Sequence, residues 1–354
     1  MNRYQAMMGE LPIPEGQAER LKAAVLAGKQ RRSLRPRRVG RRTLLAALVT
    51  AGLLASAGAA LEAANWSPAF LERFGSESRD TPGAEGVFRE VNAANTCGGV
   101  TLTVRQAIGD EKNLYILLDY QLPEDADLEA ARGGAALPVS LGRKNLTWEE
   151  IRDRDPEELR SAFLFDDGGY SLHTQYLDFD PESRTLRYLI GADLSDLPPL
   201  KRLLNPPVTL LAFPPEAQAG EGTVPLTDRA AVVTFRPTFD AATVSGTAET
   251  DSNTYRAEVS PLSFQVHIEG ADIPVADFHA SFEGALALRF RDGTVTPAAE
   301  LEPPGGDSGG NMGSSRSGDG RYSGHILWNT VFGRLIDPAE VEAVLVGDVE
   351  ILVD

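Results

Sequence analysis

Nineteen consecutive residues, Thr43–Leu61 (TLLAALVTAGLLASAGAAL), carry no charge, and Arg31, Arg32, Arg35, Arg37, Arg38, Arg41 and Arg42 crowd the segment just before them. As a helix such a stretch rises about 28 Å, close to the roughly 30 Å hydrocarbon core of a bilayer. Its alanines and glycines make it only weakly apolar. The arginines ahead of it, Glu62 behind it and Trp66 at the boundary are nonetheless the flanks of a membrane span. The expectation is a transmembrane helix over 43–63, with residues 1–42 held in the cytoplasm by their arginines and everything after the helix exported. Two other readings compete. RRTLL followed by ASA or AGA resembles a twin-arginine signal that is later cleaved, and a buried soluble helix is the third possibility.

Charge divides the chain at the same place. Residues 1–42 hold eleven Lys and Arg against three Glu, a net +8, whereas the remaining 23 bases meet 48 acids, a net −25. An acidic bulk repels phosphate and has no counterion release to offer, so direct nucleic-acid binding is not expected.

Within the basic segment, Tyr4, Met7, Met8 and Leu11 fall at helical spacing, and after PIPEG a second stripe follows through Ala18, Leu21 and Val25. Forty residues do not bury a core of their own. The stripes therefore need a partner protein or the membrane surface, and Tyr4, Met7, Met8, Leu11, Leu21 and Val25 are the candidate partner-binding residues. A tail whose arginines only set topology is the simpler reading.

The part after the helix reads as β. GVTLTVRQAI from Gly99 and NLYILLDYQL from Asn113 are strand patterns joined by the turn Gly109, Asp110, Glu111, Lys112, which makes a hairpin. Further strands are expected at Leu186, Val208, Ala231, Tyr255, Ala285, His325 and Ala343. Helices are few: TWEEIRDRDPEELRSAF opens on a capping box of Thr147 and Glu150, and DPAEVEAV begins at Asp337 with Asp at the N-cap and Pro next. Short strands between Gly, Pro and Asp turns predict a mainly β fold: short N-terminal helices and one transmembrane helix, then one or two β-sandwich-like exported domains. The Pro- and Gly-bearing stretch 213–228 is the expected boundary, giving 64–225 and 226–354 as the two domains.

The membrane helix, NWSPAFLERFG (65–75), the hairpin at 99–122, VSPLSFQVHIEG (259–270) and LIDPAEVEAVLVGDVEIL (335–352) together resemble a bacterial family of single-pass membrane proteins. That family is defined only by a domain of unknown function, and its members are labelled anti-sigma factors. The resemblance implies an exported sensor region and a cytoplasmic segment that holds an extracytoplasmic-function sigma factor. Residues 1–42 depart from the zinc-binding anti-sigma domains in having neither Cys nor His.

Motifs for chemistry are sparse. GDSGG around Ser308 matches the surroundings of a trypsin-like nucleophile, but no histidine lies in a matching context, and the following NMGSSRSGDG reads as a polar loop rather than a buried strand. His173 and His267 sit inside strand patterns. Cys97 is alone, so no intrachain disulfide forms, and no cofactor or metal motif stands out. FDDGGY at 165–170 and LDFDPES at 177–183 are acidic turns without the ligand spacing of a calcium loop. The expected function is a membrane-anchored signalling regulator and not an enzyme, with a sigma factor, membrane lipid and an unidentified extracellular ligand as partners. An envelope-binding or adhesion module is the alternative, and a secreted hydrolase the third reading.

Overall fold

The computed structural model describes residues 66–142, 147–152, 154, 171–194, 207–219, 222–270, 273–274, 286–303, 309–316 and 321–354, all within one compact unit. The candidate partner-binding residues Tyr4 to Val25 and the expected transmembrane segment 43–63 lie outside the described residues. Among the described residues, no helix is long and apolar enough to cross a membrane. The described chain is mainly β, with antiparallel pairing throughout.

It opens with helix α1 (Pro68–Phe74), started by Ser67, whose Oγ accepts from the Phe70 amide at 3.3 Å, and with Pro68 in the first turn. Gly75 ends it at φ +78°, where a side chain would be strained. A one-turn helix α2 (Ala84–Val87) follows and runs straight into the first strand.

Strands β1 (Phe88–Cys97), β2 (Val100–Gly109) and β3 (Asn113–Gln121) form a meander. The expected hairpin is present, and its turn is held by the Asp110 carboxylate, which accepts from the Lys112 and Asn113 amides at 2.7 Å each. After β4 (Ala135–Ala136) and β5 (Val139–Gly142), strands β6 (Ser171–Asp180) and β7 (Thr185–Asp193) complete the sheet in the order β1-β2-β3-β7-β6. Opposite it lies the smaller sheet β11-β8-β5, made with β8 (Val208–Ala212) and β11 (Ala231–Phe235), while the hairpin β9 (Glu216–Ala219) and β10 (Gly222–Pro225) pairs with β4. Leu102, Val104, Ile116, Leu118, Tyr120 and Tyr188 from the large sheet meet Leu210, Leu211, Val232 and Phe235 from the small one in a single core.

The stretch expected as the boundary, 213–228, contains paired strands. There β9 and β10 pair antiparallel, and Ala217 and Leu226, like Val232 beyond them, are buried in the first core. Polar and Gly-rich composition marked a surface hairpin here, because β9 and β10 turn only Ala217 inward. The chain passes to a second core after Phe235.

That second core lies between two further sheets. One is built from β12 (Val244–Glu249), β13 (Thr254–Val259), β14 (Ser263–Glu269) and β15 (Ile273–Pro274), and the other from β16 (Leu286–Phe290) and β17 (Val295–Pro297) with later strands. Strands β18 (Gly309–Arg316) and β19 (Arg321–Val331) join the first, and β20 (Val341–Val346) and β21 (Val349–Leu352) the second. Val259, Phe264, Val266 and Trp328 face Leu288, Val341, Val344 and Ile351. The segment from Tyr255, expected as one strand, is two, with Ser260, Pro261 and Leu262 turning between β13 and β14.

Two more expectations fail. GGNMGSSR, expected as loop, is strand β18 along the length of β19, because main-chain pairing needs no apolar side chain; Ser308 itself is outside the described residues. DPAEVEAV forms only a 3-10 turn over Pro338–Glu340, capped by Asp337, whose side chain accepts from the Ala339 amide. From Val341 the β-branched residues and pairing to β16 take the chain into β20.

A third cluster joins the two cores. Trp66, Phe70 and Phe74 of the α1 region pack with Phe88, Ile108, Tyr115, Leu117 and Leu189 on the outer face of the large sheet, and Leu262, Val331 and Leu335 come to it from the second half. Arg73 ties the same helix to both halves: its guanidinium donates to the Phe332 carbonyl at 3.2 Å and to the Tyr115 hydroxyl at 3.1 Å, 5.1 Å from the Tyr115 ring centre. Elsewhere between the two halves, the Asp110 carboxylate accepts from Ser263 Oγ at 3.0 Å and from Ser260 Oγ, and Asn113 Oδ1 accepts from Asn329 at 3.2 Å. These groups are buried, so the junction is specified by polar partners as well as by apolar packing.

Candidate functional site

The outer face of the large sheet holds a cleft of about 500 Å³ beside α1. Ser67, Pro68, Ala69 and Glu72 form one wall; Glu90, Asn92, Arg105, Gln106 and Leu117 form the floor, and Leu177, Asp178 and Arg187 the far side. Its size falls within the range of small-molecule sites.

Irregular pairing builds the floor. Val104 pairs with Leu118 and Gln106 with Leu117, so Arg105 is an extra residue on β2. Glu90 pairs with Gln106 and Ala93 with Val104, which leaves Val91 and Asn92 on β1 opposite Arg105 alone. On β6, Leu177 is extra between Tyr176 and Asp178. Three of the five strands therefore bulge, and Asn92, Arg105 and Leu177 are all in the cleft lining. A bulge adds one side chain to a face and bends the strand. Here it lets two consecutive residues, Arg105 and Gln106, both serve the outer face while Val104 and Ala107 stay in the core. Asn92 has φ +49°, a left-handed conformation that Asn tolerates better than most residues.

A shared carboxylate fixes the charges. Asp119 of β3, only 4% exposed, accepts from Arg105 Nε at 2.7 Å through one oxygen and from Arg187 Nε at 3.0 Å through the other. Arg187 also reaches Asp178 at 3.4 Å. Burial works to lower the Arg187 pKa, but Asp119, with Asp178 and Asp180, outweighs it and the net shift is upward. Both arginines use Nε for Asp119, and the Arg105 side chain, half exposed, lines the cleft. On the wall, the Ser67 amide donates to Gln106 Oε1 at 2.9 Å, which locks the start of α1 to the bulge.

The remaining sequence candidates come to rest elsewhere. His173 lies on β6 with its ring against Gly191 and 6.2 Å from the Tyr115 ring centre. His267 lies on β14, with Nδ1 3.7 Å from Glu269. Cys97 is buried against the Val232 carbonyl at 3.7 Å, and burial raises its pKa, which disfavours the reactive thiolate. The LDFDPES turn is closed by Asp180, which accepts from the Glu182 amide and from Ser183 Oγ. Among the described residues, no group of three or more His, Cys, Asp or Glu side chains gathers as a metal site. Sequence reading missed the cleft altogether. Arg105 and Asp119 stand inside strands that look regular, and only the pairing shows the bulges.

No family model matches the chain, and no curated protein does. A solved structure described as the conserved domain protein from Bacillus anthracis matches with a TM-score of 0.37 and 12% identity, over 73% of this chain and 75% of that one. A likeness at that level carries no argument.

Proposed function

We propose that the protein is a membrane-anchored signalling regulator. In this reading residues 43–63 span the cell membrane once, residues 1–42 hold an extracytoplasmic-function sigma factor through Tyr4, Met7, Met8, Leu11, Leu21 and Val25, and the β region is the exported sensor. Support comes from the division of charge about the uncharged nineteen-residue stretch, +8 before it and −25 from it onward, and from the resemblance carried by residues 65–75 and 99–122. The observation that carries a sensor role is the position of α1. The chain leaves the expected span and within a few residues buries Trp66, Phe70 and Phe74 between the two halves of the β region. A change at the cleft, whose wall is α1, is thereby connected to the segment entering the membrane.

The test is co-purification of the full-length chain with the sigma factor encoded nearest its gene, alongside a Met7→Asp, Leu11→Asp double variant. If the larger anchors each contribute about 1 to 2 kcal/mol when desolvated, the double change weakens capture by tenfold or more. Equal capture by both chains removes the stripes from the mechanism. No capture by either favours the envelope-binding alternative, in which the cleft is the functional part and residues 1–42 only an anchor.

A further inference from the structure

The cleft's charges do not suit a simple ion. Glu72, Glu90 and Asp178 line it with Arg105 and Arg187, and Asp119 lies beneath. Four carboxylates against two guanidiniums repel a plain anion, while the two guanidiniums in the lining disfavour a plain cation. Among the described residues the lining holds no aromatic ring, so they offer neither the stacking platform of a sugar site nor the cage of a quaternary ammonium site. What fits is a ligand with both charges. We propose that the cleft binds a small zwitterion with a free ammonium and a free carboxylate, from an amino acid to a tripeptide in length.

The layout sets that length. Glu90 on β1 and Arg105 on β2 are on neighbouring strands, whereas Arg187 on β7 is three strands from β1. With strands about 4.8 Å apart, the Glu90 backbone is about 5 Å from that of Arg105 and about 14 Å from that of Arg187 across the sheet, and the two guanidiniums are drawn together over Asp119. A carboxylate seated on Arg105, shared with Arg187 when the ligand is longer, leaves its ammonium between Glu72 and Glu90, about 10 Å away for an extended tripeptide. Guanidinium forks match carboxylates in two parallel hydrogen bonds, which favours a free carboxylate over an amide. Leu117, Leu177, Pro68 and Ala69 supply apolar floor for short side chains. The bulges are what make this possible, since without the extra residue β2 would present only one of Arg105 and Gln106 to this face.

This deepens the sensor reading by naming its ligand class, but it stands equally if the protein is an envelope-binding module. Its experiment is therefore separate from sigma-factor capture. Calorimetric titration of the full-length chain in lipid nanodiscs uses trialanine, N-acetyl-trialanine, trialanine amide, free alanine and inorganic phosphate. Trialanine or alanine is expected to saturate the site, and blocking either end of trialanine to weaken binding at least tenfold. Arg105→Ala is expected to weaken trialanine at least tenfold and to erase its advantage over the amide; Glu90→Gln is expected to erase its advantage over the N-acetyl form. Arg187 still pairs Asp119 in Arg105→Ala, and Arg105→Lys keeps the charge, so a folded variant is at hand and its melting curve checks it. No saturable binding of trialanine or alanine at about 10 mM, where even millimolar affinity shows, overturns the proposal. So does binding that ignores both blocked ends, or phosphate binding as tightly as trialanine.

Discussion

Each half of the β region carries a cross-strand cluster of arginine and carboxylate, built in opposite senses. In the first half the carboxylate is central: buried Asp119 lies between Arg105 and Arg187. In the second the arginine is central: Arg289 of β16 donates to Glu342 at 2.8 Å and to Glu350 through two nitrogens at 2.8 and 2.6 Å. A bulge takes part in both, since Phe290 pairs with Val341 while Arg289 pairs with Ala343, which leaves Glu342 extra on β20. There the bulge adds the second carboxylate and the guanidinium is closed off on both sides. On β2 the bulge adds a guanidinium that, among the described residues, bonds Asp119 through Nε alone. The same local device thus gives a satisfied surface cluster in one place and a cleft with donors to spare in the other, and what decides is which charge sits in the middle.

Asp119→Ala tests that contrast most severely. It leaves two guanidiniums facing each other over a hole in a packed surface, and a loss of about 2–3 kcal/mol is expected, below the full figure for a buried pair because the arginines are partly solvated. Arg289→Met, which leaves Glu342 and Glu350 without their guanidinium but both well exposed to water, is expected to cost less. Urea titration of both variants at neutral pH measures the difference, and equal losses would break the comparison. A middle-sized effect is expected from Asn92→Val. A β-branched residue at φ +49° is strained by about 1–2 kcal/mol. If the β1 bulge shapes the floor of the cleft, this variant also weakens trialanine binding while its melting transition stays cooperative.

The strands themselves were legible. Alternation and turn residues place β2, β3, β7, β8, β11, β16 and β19, and one arm of the capping box at Thr147 is present, its amide donating to Glu150 at 2.8 Å. What failed did so for physical reasons. A glycine- and serine-rich run has no apolar signal, yet β18 pairs along β19 by main chain alone. Asp337 and Pro338 begin a helix locally, but Val341, Val344 and Val346 gain more by covering the second core. Bulges leave no mark in the residues, because Arg105 in TVRQA is as expected of a solvent face as of a cleft, so the site appeared only when the register was known. Trp66 is expected as a membrane flank but is buried with Phe70 and Phe74, whose i, i+4 spacing gives the short helix one buried face.

The smallest expected effect separates the two cores rather than the two surface clusters. The first core encloses the phenols of Tyr120 and Tyr188, whereas Tyr255 against the second is only partly buried. Burial is the main cause that raises the pKa of both phenols, and for Tyr188 neighbouring Tyr120 and Tyr176 add to it. A folded-state pKa above the unfolded value of about 10 means that the unfolded chain ionises first, so stability is intact below about pH 10 and declines above it by about 1.4 kcal/mol per pH unit for each such group. Tyr120 donates to the Arg229 carbonyl at 3.3 Å, but the Tyr188 hydroxyl has no partner among the described residues. Tyr188→Phe removes a buried hydroxyl that has nothing to lose, and at neutral pH it is expected to be neutral or to stabilise by up to about 1 kcal/mol. Above pH 10 the advantage should widen, since one of the two ionising groups is gone. Thermal melts of the wild type and the variant at pH 7 and pH 11 check this. A variant less stable at both values would mean that Tyr188 is bonded in the folded protein and that the two cores do not differ in the way the phenols suggest.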